Sequence, residues 1–311
     1  MLGICCHYLS EKTKPKSGEK FYFNEMEERS LQLGRFKAGK YTNEQITGTY
    51  VNNVKKLAEM IPFIHRQGIK LFRVSSALFP LGDKVNREMW DNDEVKKHLK
   101  TAGDFIINNG MRVSTHPGQF CVLSSDSDDV IANARADLDI HAWIFDMMGL
   151  PETPFYAINI HGGKSGRINK LIDQVNKLPD NIRKRLTLEN DESAYSVLEL
   201  LEAHRETGLP ITFDSHHHTF NTDDLTMEEA YEAACATWGD IRPLQHISNT
   251  DPIHVNGNFT DRRKHSDLIH YVPDCQLRSL RENKIDVEIE AKLKNISVFK
   301  MSKDFDIPIS V

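Results

Sequence analysis

The stretch Arg185–His218 reads RLTLENDESAYSVLELLEAHRETGLPITFDSHHH, and its reading decides the fold. A short apolar run, RLTLEND, is followed by a helix-patterned stretch over Tyr195–Thr207 and then by a second short run, PITFDSH. Strand, helix, strand is the reading. A helix that carries the chain from one strand to the next forces the two strands to run parallel. The first strand closes on Glu189, the second on Asp214 and three histidines. A carboxylate at the end of an apolar run is costly to bury unless something pairs with it.

The same unit recurs in both directions. Upstream strands are expected at Leu2–Leu9, Ile69–Ser76, Met111–Gly118 and Phe155–Gly163, and downstream ones at Pro243–Asn249 and Lys284–Ala291. Helical spacing covers Gln45–Gln67, Glu88–Asn108, Val130–Met148, Ile168–Lys177, Thr226–Trp238 and Asp274–Asn283, with a final helix after Lys292. Gly110 stops one helix in the C-cap role that glycine fills without steric cost. The polar, lysine-bearing stretch from Ser10 to about Thr42 is expected to be a long loop. Eight strands with helices between most neighbours favour one closed (β/α)8 TIM barrel spanning 1–311, the alternative being an open doubly wound sheet. The length of 311 residues suits a single barrel of this kind.

The composition is 39% hydrophobic and 27% charged, an ordinary globular balance. The net charge of −6 gives no global basic signal for nucleic acid and leaves only a local basic face or bound cations to meet it. Five cysteines, with Cys5 and Cys6 adjacent, make neither a disulfide framework nor a CxxC pair, so a reducing, cytoplasmic setting is expected. No apolar run reaches membrane-spanning length, and MLGICCHYLSEK lacks the form of a signal peptide.

The position of the polar residues points to function. Successive strands end in His116, His161, Glu189, Asp214, His246 and Glu290. In a parallel barrel all these ends open on one mouth, where barrel active sites lie. One such residue would mean little; six in phase are hard to obtain from packing needs alone. Imidazole and carboxylate without thiolate suit zinc, manganese or iron(II). More than four ligands implies more than one ion, and two or three ions in a cluster are the usual apparatus for phosphoester hydrolysis. In the triplet, alternation favours His216 and His218, whereas His217 turns inward if the chain leaves the sheet at Ser215. Asp286, Glu288 and Glu290 alternate on one face, so three carboxylates point into the barrel, with Arg73 or Lys70 expected to partner Asp286.

The runs GIKLFRVSSALFPLG, STHPGQF, NIHGGKSGR, LTLENDE, FDSHHH and DVEIEAKLK, in that order, resemble the UV damage endonucleases. These are metal-dependent DNA repair enzymes on a TIM barrel, related to endonuclease IV type abasic-site nucleases. The resemblance covers about residues 45–295. It implies nicking of a damaged duplex on the 5′ side of a UV photoproduct or abasic site. It implies a cluster of two or three divalent ions, manganese foremost, with zinc or magnesium as alternatives. Position by position it makes His116, His161, Glu189, Asp214, His217, His246, His265 and Glu290 metal ligands. It assigns catalysis to Glu189, His116 and Lys84, the last standing where the family commonly has a histidine. Gln119 and Phe120 match the pair that reads the lesion, and a planar ring can stack into a disrupted helix without a hydroxyl. Tyr8, Arg262, Arg263 and Lys264 complete the expected substrate contacts. Ile4, Tyr8, Lys84 and Leu244 depart from the family pattern.

Further basic residues fall on loops of the same side: Lys12, Lys14, Lys16 and Lys20, Arg29, Arg35, Lys37 and Lys40, then Lys164 and Arg167. The expected partner is lesion-bearing double-stranded DNA, met by a monomer and no membrane. The rival readings are a metal-dependent sugar isomerase or epimerase on the same barrel, and a non-catalytic lesion or metal binder.

Overall fold

Alternation along each strand sorts this chain into an apolar outside and a polar inside. The computed structural model describes residues 1–310. Ten strands form, numbered in chain order: β1 (Leu2–Cys5), β2 (Leu9–Thr13), β3 (Lys20–Asn24), β4 (Leu71–Val74), β5 (Arg112–Thr115), β6 (Ile158–Ile160), β7 (Leu186–Glu189), β8 (Ile211–Asp214), β9 (Leu244–Ile247) and β10 (Asp286–Ile289). Eight of them close a parallel barrel in the spatial order β1-β10-β9-β8-β7-β6-β5-β4, and β2 and β3 pair separately as an antiparallel hairpin. The expected single-domain (β/α)8 barrel is the observed architecture.

Phe72, Val74, Val113, Ile158, Ile160, Leu186, Leu188, Ile211, Phe213, Val287 and Ile289 are fully buried and pack with the helices into one core. Their alternates face the barrel axis. Barrel interiors are commonly filled by branched aliphatics; here Arg73, Arg112, Ser114, Asn159, Thr187, Thr212, His246, Asp286 and Glu288 take that place, each almost wholly buried. At the bottom, Gly3 makes room for Leu71: a Cβ on Gly3 would lie 2.4 Å from Leu71 Cγ.

Several boundaries differ from expectation for local reasons. The first strand stops at Cys5 because Cys6 adopts a left-handed backbone, φ 67°, which turns the chain out of the barrel. The stretch expected as a loop therefore carries the β2–β3 hairpin and a short helix, Leu33–Lys37. Helices Val197–Thr207 and Met227–Ala236 begin one step after Ser196 and Thr226, whose hydroxyls and the side chains of Glu199 and Glu229 form reciprocal capping boxes. The strand expected to reach His216 ends at Asp214. Its Oδ1 accepts from the N–H groups of His216 (2.7 Å) and His217 (2.9 Å) and starts a one-turn helix, Ser215–His218. Asp286 pairs with Arg112 (3.0 Å) and the N-terminal amine (2.9 Å), not with Arg73 or Lys70.

Candidate metal centre

Glu189 closes β7 at the middle of the mouth and is fully buried. Three neighbouring strand ends aim imidazoles at it. His116 Nε2 lies 2.9 Å from Oε2 and His246 Nδ1 lies 2.9 Å from Oε1, while His161 Nε2 stands 3.9 Å from Oε2. From the turn after β8, His217 Nδ1 comes within 3.4 Å of Oε1. Ligand atoms of His116, Glu189, His246 and Glu290 lie within 4.8 Å of one another, and so do those of His161, Glu189 and His217. Glu189 belongs to both groups. A carboxylate in that position has an oxygen to offer to each group.

Local sequence explains the aim. His161 follows β6 directly, and the next residue, Gly162, turns back at φ 70°. A Cβ on Gly163 would meet the Tyr195 ring at 2.5 Å, so NIHGG seats the histidine by a turn that only glycines complete. The triplet resolves by the same kind of detail. His217 turns to Glu189, His216 bonds Thr250 Oγ1 (3.0 Å), and His218 bonds the Leu225 carbonyl (3.1 Å).

Two expected ligands stand just outside the two groups. Asp214 spends Oδ1 on its cap, whereas its Oδ2 is buried without a hydrogen-bond partner. His265 Nδ1 is 3.7 Å from Glu290 Oε2, and its ring is 5.7 Å from that of His216. An orphaned carboxylate oxygen beside two imidazole–carboxylate groups is a donor set that fits divalent cations.

Beneath the ligands runs a charged network that sequence reading assigned elsewhere. Arg73 donates from Nε to Glu288 (2.6 Å), from Nη1 to Glu290 (2.5 Å) and from Nη2 to His246 Nε2 (2.7 Å). Ser114 donates to Glu288 and Asn159 to Glu189. The signal for Arg73 was its place between Leu71 and Ser75 on the inward face of a short apolar strand. Burial would raise the Glu189 carboxyl, but His246, His161 and the hydrogen bond from His116 hold it well below the usual range. Burial pushes His161 down, toward the neutral form that ligation requires, and takes His216, turned aside to Thr250, to about 4. Against burial, the carboxylates around His246 favour its charged form; the guanidinium beside it can only donate and selects the neutral ring with a lone pair on Nε2.

The substrate-side residues separate into two sets. Gln119 and Phe120 are exposed, Phe120 by 81%, on the loop after β5. A small cleft of about 70 Å³, lined by Gln119, His161 and Asp191, joins that loop to the candidate metal centre. Tyr8, expected at the substrate, is instead buried: it packs edge-on against Phe63 (5.0 Å), because the turn at Cys6 carries it away from the mouth. Lys84 lies outside both ligand groups, its ammonium on Asp83 (2.7 Å) and Asn133 (3.0 Å). Arg263 pairs with Glu192, Lys264 with Asp261, and Arg262 lies over the Phe220 ring (5.2 Å). Lys12, Lys14 and Lys20 pair with Glu25, Glu19 and Glu11 across the hairpin, and Lys164 and Arg167 with Asp126. Exposed pairs of this sort are weak and open readily to a polyanion. Among the described residues no helix is long and apolar enough to cross a membrane.

Comparison with known proteins gives the chain its family and its fold relatives. The profile of the family described as UV-endonuclease UvdE matches residues 21–309. A UV DNA damage endonuclease of Nostoc sp. is 36% identical over 257 residues, 80% of this chain and 76% of the relative. One of Deinococcus radiodurans is 33% identical over 289 residues, 89% of this chain and 91% of the relative. The crystal structure of SacUVDE superposes with a TM-score of 0.78 at 27% identity, covering 98% of this chain and 99% of that one.

Proposed function

The chain belongs to the UV-endonuclease UvdE family, and we propose from this that it is a DNA repair endonuclease that nicks ultraviolet-damaged duplex on the 5′ side of the lesion. The observation that carries the reading is the sharing of Glu189 by two groups of ligands in a mouth flanked by the exposed Gln119–Phe120 pair. When bound, divalent ions, manganese foremost with zinc or magnesium as alternatives, supply a hydroxide at neutral pH and offset charge on the leaving oxygen.

The chain's own residues do the rest. In this reading His116, Glu189, His246 and Glu290 would hold one cation, and His161, Glu189 and His217 would hold the next. Asp214 and His265 extend the donor set toward a third. Arg73 keeps Glu290 and His246 turned to the cluster, as a fixed second layer of hydrogen bonds does in metal sites. Gln119 and Phe120 enter the distorted duplex, and Phe120 stacks where damaged bases leave the helix. Arg263 and Lys264 exchange their acidic partners for phosphates, Arg262 joins them from its place over the Phe220 ring, and Lys84 lies ready at the loop after β4 to neutralise one more. A monomer presents all of these groups on one face. The basic loops and the reading pair favour this over a sugar epimerase, which needs neither.

The test is a nicking assay on irradiated, abasic and undamaged duplexes with manganese, with end mapping of the products. Manganese-dependent cleavage of the irradiated duplex, abolished by EDTA, is the expected result. An irradiated duplex left intact with manganese, zinc and magnesium in turn overturns the proposal.

A further inference from the structure

The loop between β9 and the helix Asp274–Arg281 carries an unusual share of exposed apolar surface. Among the described residues nine large hydrophobic side chains are exposed, and four of them, Ile253, Val255, Phe259 and Tyr271, lie on this one loop. Single exposed apolar residues need no explanation; a cluster beside a functional mouth does. Ile253, at the tip, is 81% exposed, the same as Phe120.

This tip is rigid. Asp251 caps the turn Pro252–His254 by accepting from the Ile253 N–H (3.2 Å), and Lys292 holds Asp251 from the loop after β10 (3.5 Å). Thr250 bridges to His265 and donates to the Arg262 carbonyl (2.7 Å), which ties the far arm of the loop to the end of β9. Gly257 closes the turn so tightly that a Cβ there would meet Asp261 Cβ at 2.8 Å. A preorganised aliphatic tip gains nothing for the free protein, because Ile253 is left in water. It becomes useful when something apolar is brought to it.

The occupant follows from charge and place. Arg262, Arg263 and Lys264 are exposed on the same loop, a cationic run next to the tip. An aliphatic point beside phosphate-binding residues is the composition of a wedge that enters a DNA groove and unstacks a base step. In the ring of eight strands β9 stands four places from β5, diametrically across the mouth. The loop of Ile253 and the loop of Phe120 therefore flank the metal centre from opposite sides.

Resting on the endonuclease reading, we propose that the Ile253 tip, backed by Val255, is a second DNA-inserting element. It enters the duplex on the far side of the scissile phosphate from Phe120, so that the two grip the strand across the metal centre. The class of ligand is a duplex groove with an unstackable step, several nucleotides from the step that Phe120 fills.

The experiment places 2-aminopurine, which brightens on unstacking, at successive positions on both sides of the lesion in irradiated duplexes. The Glu189→Gln background keeps the DNA intact, and wild-type nicking is assayed in parallel. Two separate bright positions are expected, one lost in Phe120→Ala and the other lost in Ile253→Asp. In the otherwise wild-type chain Ile253→Asp should lower kcat/KM at least tenfold, with melting temperature and manganese content unchanged. Ile253→Ala should give an intermediate loss. Wild-type nicking together with a single bright position that depends on Phe120 alone, and normal turnover in Ile253→Asp, overturns the second wedge and leaves the endonuclease standing. Absence of nicking by the wild type overturns both.

Discussion

Arg73 places a guanidinium nitrogen 2.7 Å from Nε2 of His246, while the other ring nitrogen of that histidine faces Glu189 at 2.9 Å. Arginine has no acceptor, so the contact needs a lone pair on Nε2 and puts the proton of the neutral ring on Nδ1, toward Glu189; a cation taking Nδ1 would displace that proton and turn the Arg73 contact aside. The same guanidinium neutralises Glu288 and Glu290. Arg73→Met should leave two buried carboxylates without their counter-charge, at about 3–5 kcal/mol. Urea unfolding is expected to show that loss, and elemental analysis a manganese content well below that of the wild type. Full metal content with unchanged stability would remove Arg73 from the support of the site.

Glu189 is the one residue common to both ligand groups. Glu189→Gln keeps the shape and removes the charge that two cations would share. Manganese content is expected to fall by at least half. Nicking of irradiated duplex should drop by roughly 10³-fold or more, since several kcal/mol of transition-state stabilisation depend on the cluster. Circular dichroism should be unchanged. Normal metal loading in this variant would deny the bridging place.

Much of this was legible because a barrel strand has period two and every strand runs the same way. Glu189, Asp214 and His246 could be read as inward-facing strand residues from their neighbours alone. What alternation could not reveal was any effect decided by one side chain acting on the backbone. Asp214 ends β8 by capping the turn after it, and that alone sends His217 inward and His216 aside. Partner choice was hidden for another reason. Which inward residues meet depends on the stagger of strands around the barrel, so Arg112, from β5, reaches Asp286, and Arg73 reaches Glu288 one layer higher. Tyr8 was misplaced because a left-handed Cys6 turns the chain, and cysteine gives no warning of that conformation.

The Arg112–Asp286 pair at the closed end of the barrel predicts acid sensitivity independent of metal. Both side chains are fully buried. Burial would raise the Asp286 carboxyl, but the N-terminal amine and Arg112 outweigh it and hold it below its ordinary value of 3.8. A carboxyl depressed in the folded state adds stability that is complete above the unfolded pKa and lost as pH falls through the folded one. Stability measured by urea should therefore be flat near neutrality and decline below about pH 4. Asp286→Asn should cost about 3–5 kcal/mol at pH 7, because it leaves Arg112 buried without its charge partner. The gap between variant and wild type should narrow as the pH falls. A gap constant from pH 7 to pH 2 would mean that the loss comes from packing and not from charge.

Phe120 stands in water on the loop beside the small cleft that leads to His161. It supports no core, so Phe120→Ala should leave stability within about 0.5 kcal/mol of wild type. In the proposed reading its use lies in the complex with DNA. Stacking of one base on an aromatic ring contributes about 1–3 kcal/mol, and that stabilisation is available only where the lesion has already opened the helix. Removing the ring should lower kcat/KM on irradiated duplex by roughly 5- to 150-fold. The slow cutting of undamaged duplex should barely change, so discrimination collapses from above. Phe120→Tyr keeps the plane and should keep the discrimination. Parallel single-turnover assays on the two duplexes, with manganese content measured on the same samples, separate recognition from metal loss. Equal discrimination in Phe120→Ala and wild type would mean that the lesion is read elsewhere in the mouth.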